Sequence, residues 1–210
     1  MPLRIRQALI SVYDKTGLGS LAGTLQQFGT RLISTGGTAA FLRKEGYDVT
    51  SVADVTSQAE LFGGRVKTLH PYIFASILAR PDHPEDRDQL GEMNLEPIDM
   101  VVCNLYPFAE TVAKPGVALD EAIEQIDIGG IALIRAAAKN HAAVAVVVDP
   151  EDYERVIEEL ETKKGEIGED LALRLALRPF QTSAKYDSTI ADYLHSVVAR
   201  GALEADVADG

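Results

Sequence analysis

The order of apolar and polar residues along the first 150 positions predicts strands that alternate with helices. Continuous apolar runs such as ALISV and AAVAVVVD are typical of buried parallel strands, whereas apolar residues three and four positions apart predict amphipathic helices. The predicted strands are residues 8–12, 31–35, 48–52, 98–106 and 142–149. The predicted helices are residues 18–29, 38–46, 119–126, 131–140 and 151–160. This alternation predicts an α/β fold with a mostly parallel sheet and helices on both faces.

The remaining segments have a different character. Residues 53–97 are rich in Gly, Pro and His, which predicts a long connection with short helices near 72–78 and 85–93. No strand signal remains beyond Gly165, and residues 171–199 have a helical pattern with a kink or break expected at Pro179. We therefore predict an α/β body at residues 1–150 and a C-terminal helical extension at residues 151–210.

Charge and cysteine content narrow the classes of function. The net charge of −12, from 20 basic and 32 acidic residues, argues against nucleic acid or an anionic membrane as a partner. The single cysteine, Cys103, excludes an internal disulfide bond, and the N-terminal residues contain neither a signal peptide nor a membrane span. A soluble cytoplasmic protein is the expectation.

Polar groups follow three of the predicted strands, at the edge where open parallel sheets bind ligands. Each group has an ordinary alternative, because Ser, Thr and Gly are common in helix caps and turns. The motif STGGT at residues 34–38 has more specific chemistry, because two glycines allow close backbone approach and the amides of the next helix favour an anion. The spacing matches neither the dinucleotide fingerprint nor the P-loop, so it favours a mononucleotide or sugar phosphate.

The stretch LFGGRVKTLHP at residues 61–71 concentrates cations in an acidic chain. Arg65 and Lys67, with Lys15, would complete a phosphate seat through charge-assisted hydrogen bonds. The alternatives are a solvated loop or a patch that balances local charge.

A second cluster lies in DIGGIALIRAAAKNH at residues 127–141. Asp127 precedes a helix and could act as its N-terminal cap, and Lys139 falls in the last turn, where the helix dipole favours a cation. A buried strand is predicted directly after His141, which leaves little room for a freely solvated Lys139 tip and favours a functional role.

Six segments together resemble one family. SVYDKTG, STGGTA, GGRVKTLHP, VVCNLYPF, EQIDIGG and RAAAKNH resemble the inosine monophosphate (IMP) cyclohydrolase domain of the bifunctional AICAR transformylase/IMP cyclohydrolase family. The resemblance implies a methylglyoxal synthase-like fold and a hydrolase acting on cyclic amidines. The reaction is closure of 5-formamidoimidazole-4-carboxamide ribotide (FAICAR) to IMP with loss of water, the last step of de novo purine biosynthesis. It also implies no metal, no organic cofactor and a homodimer.

The resemblance assigns roles to individual residues. Lys139 is the proton-transfer residue, Lys67 and Tyr106 are donors, and Asp127 orients the carboxamide and balances the lysine charges. The implied substrate-binding residues are Ser11, Tyr13, Asp14, Lys15, Thr35, Gly36, Gly37, Thr38, Arg65, Lys67, Thr68, Cys103, Asn104, Asp127, Ile128 and Gly129. Asn104 is expected to contact the base, and most of the others phosphate and ribose.

Two departures from the family pattern and two rival functions accompany this resemblance. Phe74 and Ser76 stand where the family commonly has His and Gly, so no role for that histidine is transferred. No transformylase domain is present in these 210 residues, so a separate AICAR transformylase is a candidate partner. The rivals are methylglyoxal synthase itself, whose family has no counterpart of RAAAKNH, and a nucleotide-sensing module, which would need neither Lys139 nor Tyr106.

Overall fold

A five-stranded parallel sheet forms the centre of the protein. The computed structural model describes residues 2–208, and the side chains of residues 2–200. The strands are β1 (Leu3–Arg4), β2 (Gln7–Ile10), β3 (Arg31–Ser34), β4 (Val49–Ser51), β5 (Met100–Val102), β6 (Ala145–Val147) and β7 (Glu166–Ile167). The sheet has the order β4-β3-β2-β5-β6 with every pair parallel, which confirms the predicted fold class.

Ten α-helices are present in the described residues. They are α1 (Leu18–Gln27), α2 (Gly36–Lys44), α3 (Val52–Thr56), α4 (Pro71–Leu78), α5 (Pro84–Glu92), α6 (Phe108–Val112), α7 (Leu119–Glu124), α8 (Gly129–Lys139), α9 (Tyr153–Thr162) and α10 (Glu169–Ala208). Short 3₁₀ turns occur at Phe62–Gly64 and Pro150–Asp152. Gly29, just after α1, has a φ of +80°, the left-handed conformation in which glycine commonly ends a helix.

Two apolar cores cover the two faces of the sheet. Successive residues of β2 point to opposite faces, so that Ala8 and Ile10 pack with α1 and α9, while Leu9 packs with α4 and α8. Nearly continuous burial of the strands is the expected consequence of helices on both sides. With helices on both faces of the sheet, a ligand is expected at the carboxyl ends of the strands.

The main differences from the predicted elements concern the strands and the long helix α10. β5 and β6 extend over only three residues each, although the apolar residues that flank them, Ile98, Cys103, Val144 and Val148, are also buried. β1 and β7 were both missed, since two-residue strands that pair across more than 160 positions leave no local pattern. A kink or break was expected at Pro179, and a break is not observed there, because α10 continues through this residue as one helix.

The chain forms two compact units. The first comprises Met1–Leu105 and Ile128–Phe180 and contains the sheet; the second comprises Tyr106–Asp127 and Gln181–Gly210. α9 and the beginning of α10 therefore belong to the unit of the sheet. The domain boundary predicted at residue 150 does not coincide with a limit of either unit, and it stays a prediction about functional organisation.

Candidate active site

Three neighbouring strands bring the predicted polar segments to one edge of the sheet. Ile10, at the end of β2, is in register with Ser34 of β3 and Val102 of β5. The residues that follow are Ser11, Thr35 and Cys103, so these three segments leave the sheet at the same level. The predicted convergence at the carboxyl rim is therefore present within the first unit.

The segment from Ser11 to Gly17, here called the Ser11–Gly17 loop, is held by side chains from both neighbouring segments. The Val12 amide donates to Thr38 Oγ1 at 3.1 Å, and the Tyr13 and Asp14 amides donate to Asn104 Oδ1 at 2.7 and 3.0 Å. Within the loop, Lys15 Nζ donates to the Tyr13 carbonyl at 3.1 Å.

Asp14 closes a turn inside this loop. Its Oδ1 accepts from the Thr16 hydroxyl at 2.7 Å and from the Thr16 amide at 2.9 Å. These two hydrogen bonds lower the pKa of Asp14, so the carboxylate stays ionised. A carboxylate used in this way shapes the loop, and repulsion from a phosphate makes it a poor direct ligand for that group.

The STGGT segment forms the start of α2. Gly36 has a φ of +54°, a left-handed conformation that strains other residues, and the Thr35 side chain forms no capping hydrogen bond. The first backbone amides of a helix have no acceptor within the helix, and the helix dipole favours an anion beside them. This backbone geometry is compatible with the predicted phosphate seat.

Lys67 adds a cation to this helix start. Its Nζ lies 3.7 Å from the position that a Cβ atom would occupy on Gly36. The loop before it is closed by a bridge in which the Leu61 amide donates to the Val66 carbonyl at 2.9 Å and the Val66 amide donates to Leu61 at 3.3 Å. This turn returns the chain toward α2 and accounts for the proximity of residues 36 and 67.

The neighbours of Lys67 face different surroundings. Arg65 is exposed, whereas Thr68 is buried, and Thr68 Oγ1 lies 3.2 Å from the position of a Cβ atom on Gly129. Gly129 is the first residue of α8. The Lys67–Thr68 dipeptide thus reaches the N-termini of two helices, α2 and α8.

A pocket of about 320 Å³ opens beside this helix start. Its lining includes Thr35, Gly36 and Lys67, which were predicted, together with Arg43 and Glu60, which were not. The position of Glu60 is explained by the antiparallel bridge between Leu61 and Val66. In such a pair the outer neighbours, residues 60 and 67, lie opposite each other.

The four predicted catalytic residues are divided between the two units. Lys67 and Lys139 belong to the first unit, and Tyr106 and Asp127 belong to the second. Lys139 ends α8 and is exposed, so the expectation of little room for its tip was wrong. The neighbouring Asn140 is structural, since its Nδ2 donates to the Ile77 and Ala79 carbonyls at 2.8 and 2.9 Å.

The backbone amide of Asp127 has a hydrogen-bond partner that the sequence did not indicate. Its amide donates to the Tyr186 hydroxyl at 2.9 Å, and that hydroxyl donates to the Gln125 carbonyl at 2.8 Å. Burial raises the pKa of Tyr186, which keeps the phenol neutral and able to donate. The N-cap of α8 is Ile128, so the alternative of Asp127 as that cap is not observed. Tyr186 lies in YDSTIADYL, and no local pattern marks its partner 59 residues away.

Other predicted contacts differ in exposure. Cys103 is only 1% exposed, which leaves a ligand little access to this residue, whereas Ile128 is 62% exposed. Ser76 is buried in α4, and Phe74 packs against the second apolar core. The two positions where this chain departs from the family pattern therefore serve packing.

The described residues contain no group of three or more His, Cys, Asp or Glu side chains arranged to hold a metal ion. No helix within the described part of the chain is long and apolar enough to cross a membrane.

Comparisons with known proteins identify the family of this chain. The MGS-like domain model matches residues 17–132, and the AICARFT/IMPCHase bienzyme model matches residues 137–208. The bifunctional purine biosynthesis protein PurH of Persephonella marina is 53% identical over 90% of this chain and 36% of its own length. PurH of Thermosynechococcus vestitus is 53% identical over 93% of this chain and 38% of its own length.

A solved structure, titled "Crystal structure of ForH", shares 34% sequence identity with a TM-score of 0.81 and covers 90% of this chain and 96% of its own. The chain thus spans somewhat more than a third of the curated relatives it matches and nearly all of ForH. The chain belongs to the MGS-like domain family, and its residues 137–208 match the AICARFT/IMPCHase bienzyme family.

Proposed function

We propose that this protein is an IMP cyclohydrolase, which closes FAICAR to IMP with loss of water. The observation that carries the proposal is the Lys67 ammonium beside the first turn of α2, in a chain 53% identical to PurH proteins. A helix start and an adjacent lysine suit the phosphate of a purine ribotide.

The ring closure is intramolecular, so positioning supplies much of the rate. The carboxamide nitrogen attacks the formyl carbon of the same molecule and loses one of its two protons. The formamide nitrogen then loses its own proton as it forms the C=N bond, and the formyl oxygen leaves with these two protons as water. Well-oriented intramolecular reactions reach effective molarities of about 10⁵ M or more. A site that holds the phosphate and both reacting groups therefore lowers the barrier before any proton moves.

Proton transfers complete the reaction. In our proposal Lys139 moves the proton, Lys67 and Tyr106 donate hydrogen bonds to the developing oxyanion, and Asp127 orients the carboxamide. Donors aimed at the oxyanion and a positioned acid or base are the usual sources of such acceleration. The exposed position of Lys139 at the end of α8 is compatible with access to a ligand.

Phosphate and ribose would be held by Lys15, the amides of Gly36–Thr38, Arg65 and Thr68. We further propose that the protein acts in the cytoplasm as a homodimer. The AICAR transformylase step would be performed by another domain or by a separate partner.

Incubation of purified protein with FAICAR tests the function directly. A growing purine absorbance, with IMP identified by chromatography, is the expected result. Methylglyoxal production from dihydroxyacetone phosphate would replace this proposal by the methylglyoxal synthase reaction. IMP binding without turnover would leave a sensing module.

A further inference from the structure

Two residues expected to contact the substrate have side chains engaged by the Ser11–Gly17 loop. Thr38 is 5% exposed, and its Oγ1 accepts from the Val12 amide at 3.1 Å and donates to the Val12 carbonyl at 2.9 Å. A hydroxyl has one proton, and Thr38 gives it to the loop. Its side chain therefore has no proton to donate to a phosphate in this arrangement.

Asn104 is committed on the opposite side of the same loop. Its Oδ1 accepts from both the Tyr13 and Asp14 amides, and its Nδ2 donates to the Asp14 carbonyl at 2.8 Å. A side-chain carbonyl oxygen has two lone pairs, and both are used here. Only one N–H of the amide remains, so Asn104 is poorly equipped for the direct contact to the base that the family resemblance implies.

The two residues approach the loop from different elements. Thr38 lies in the first turn of α2, and Asn104 follows β5, so the loop after β2 is attached to both neighbours of its own strand. The loop in turn fixes Lys15, whose ammonium donates to the Tyr13 carbonyl. Tyr13 is thereby the link between Asn104 and the lysine.

We propose that Thr38 and Asn104 are positioning residues that hold the Ser11–Gly17 loop, and with it Lys15, in the conformation that binds the substrate phosphate. This inference rests on the proposed function for the identity of the ribotide. It differs from that proposal in assigning the effect of both side chains to the loop and none to direct contact.

Thr38→Val removes the hydroxyl at nearly constant volume, and Thr30→Val is its matched control. Thr30 is also a buried threonine, 4% exposed, and its Oγ1 donates to the Ile5 carbonyl at 2.7 Å. Ile5 precedes the amino end of β2, so this hydrogen bond lies away from the carboxyl rim. Because a buried donor left without a partner carries a penalty, we expect Thr38→Val and Asn104→Ala to weaken IMP and inorganic phosphate binding by about tenfold. Thr38→Ser keeps the hydroxyl and should restore affinity.

The measurements are calorimetric binding of IMP and phosphate, KM and kcat for ring closure, and hydrogen exchange at the Val12, Tyr13 and Asp14 amides without ligand. We expect faster hydrogen exchange at the Val12 amide in Thr38→Val and at the Tyr13 and Asp14 amides in Asn104→Ala. In both variants KM should change more than kcat. Thr30→Val should lower thermal stability and leave affinity and these amides unchanged.

Wild-type protection of all three amides in ligand-free Thr38→Val and Asn104→Ala would overturn the inference. Equal loss of affinity in Thr30→Val would overturn it as well. Absence of ring closure in the unmodified protein would instead refute the proposed function, and phosphate binding and hydrogen exchange would still decide the role of Thr38 and Asn104.

Discussion

The Lys67 side chain passes directly over Gly64. A Cβ atom at Gly64 would lie 3.1 Å from Lys67 Cε and 3.3 Å from Nζ, which is closer than ordinary van der Waals contact. Gly64 also has a φ of +96°, so both its conformation and its lack of a side chain are needed for the ammonium to reach α2.

Gly64→Ala should therefore weaken binding of IMP by displacing Lys67. The matched control is Gly63→Ala, because Gly63 has a φ of +65° but no atom within 4 Å of its Cβ position. Both variants incur the backbone strain of about 1–2 kcal/mol, and only Gly64→Ala displaces the lysine. Calorimetric affinity with thermal unfolding checks this, and equal affinity losses in both variants would contradict it.

Lys139→Leu should abolish ring closure while IMP affinity stays close to that of the unmodified protein. Loss of a proton-transfer residue typically lowers kcat by about 10²-fold or more. Lys44→Leu is the control, since Lys44 is also an exposed lysine that ends a helix, α2. Steady-state kinetics should show normal turnover for Lys44→Leu, and normal turnover for Lys139→Leu would remove Lys139 from the mechanism.

Arg65→Ala should raise KM and weaken IMP binding, with a smaller effect on kcat. The exposed guanidinium belongs to the cationic wall of the phosphate seat in our proposal, so its removal reduces attraction for the dianion. Titrations at low and high salt measure the effect, which should shrink as salt screens the charge. An affinity equal to that of the unmodified protein at low salt would count against this seat.

Asp99 offers a test of stability against pH. Its Oδ2 accepts from the Arg6 and Gln7 amides at 2.8 and 2.9 Å, and burial raises the pKa of this carboxyl above its usual value. The folded state therefore binds the Asp99 proton more tightly than the unfolded state, and this contribution to stability is lost as pH rises through the folded pKa.

The neutral variant Asp99→Asn keeps an oxygen that can accept from both amides. It should be more stable than the unmodified protein at pH 7, with the advantage fading as pH falls below the unfolded pKa. Urea unfolding at pH 7 and at a pH below the unfolded pKa of Asp99 measures this difference in stability. If Asp99→Asn is less stable than the unmodified protein at pH 7, and by the same amount at low pH, the expected pH dependence is refuted.

The sequence predicts the sheet and the phosphate seat because both depend on local patterns. Apolar runs define β2, β3, β5 and β6, and the glycines of STGGT mark the start of α2. The hydrogen bonds of Thr38 and Asn104 could not be predicted in this way, since they connect residues 26 and about 90 positions apart. The exposure of Lys139 was missed for a similar reason, because it depends on packing around the helix end.

The most direct test of the central claim, a purine ribotide held at the carboxyl rim, is a crystal structure with IMP bound. We expect phosphate oxygens within hydrogen-bonding distance of the amides that begin α2 and close to the Lys67 ammonium. IMP bound elsewhere on the protein, or with its phosphate remote from Gly36 and Lys67, would contradict it.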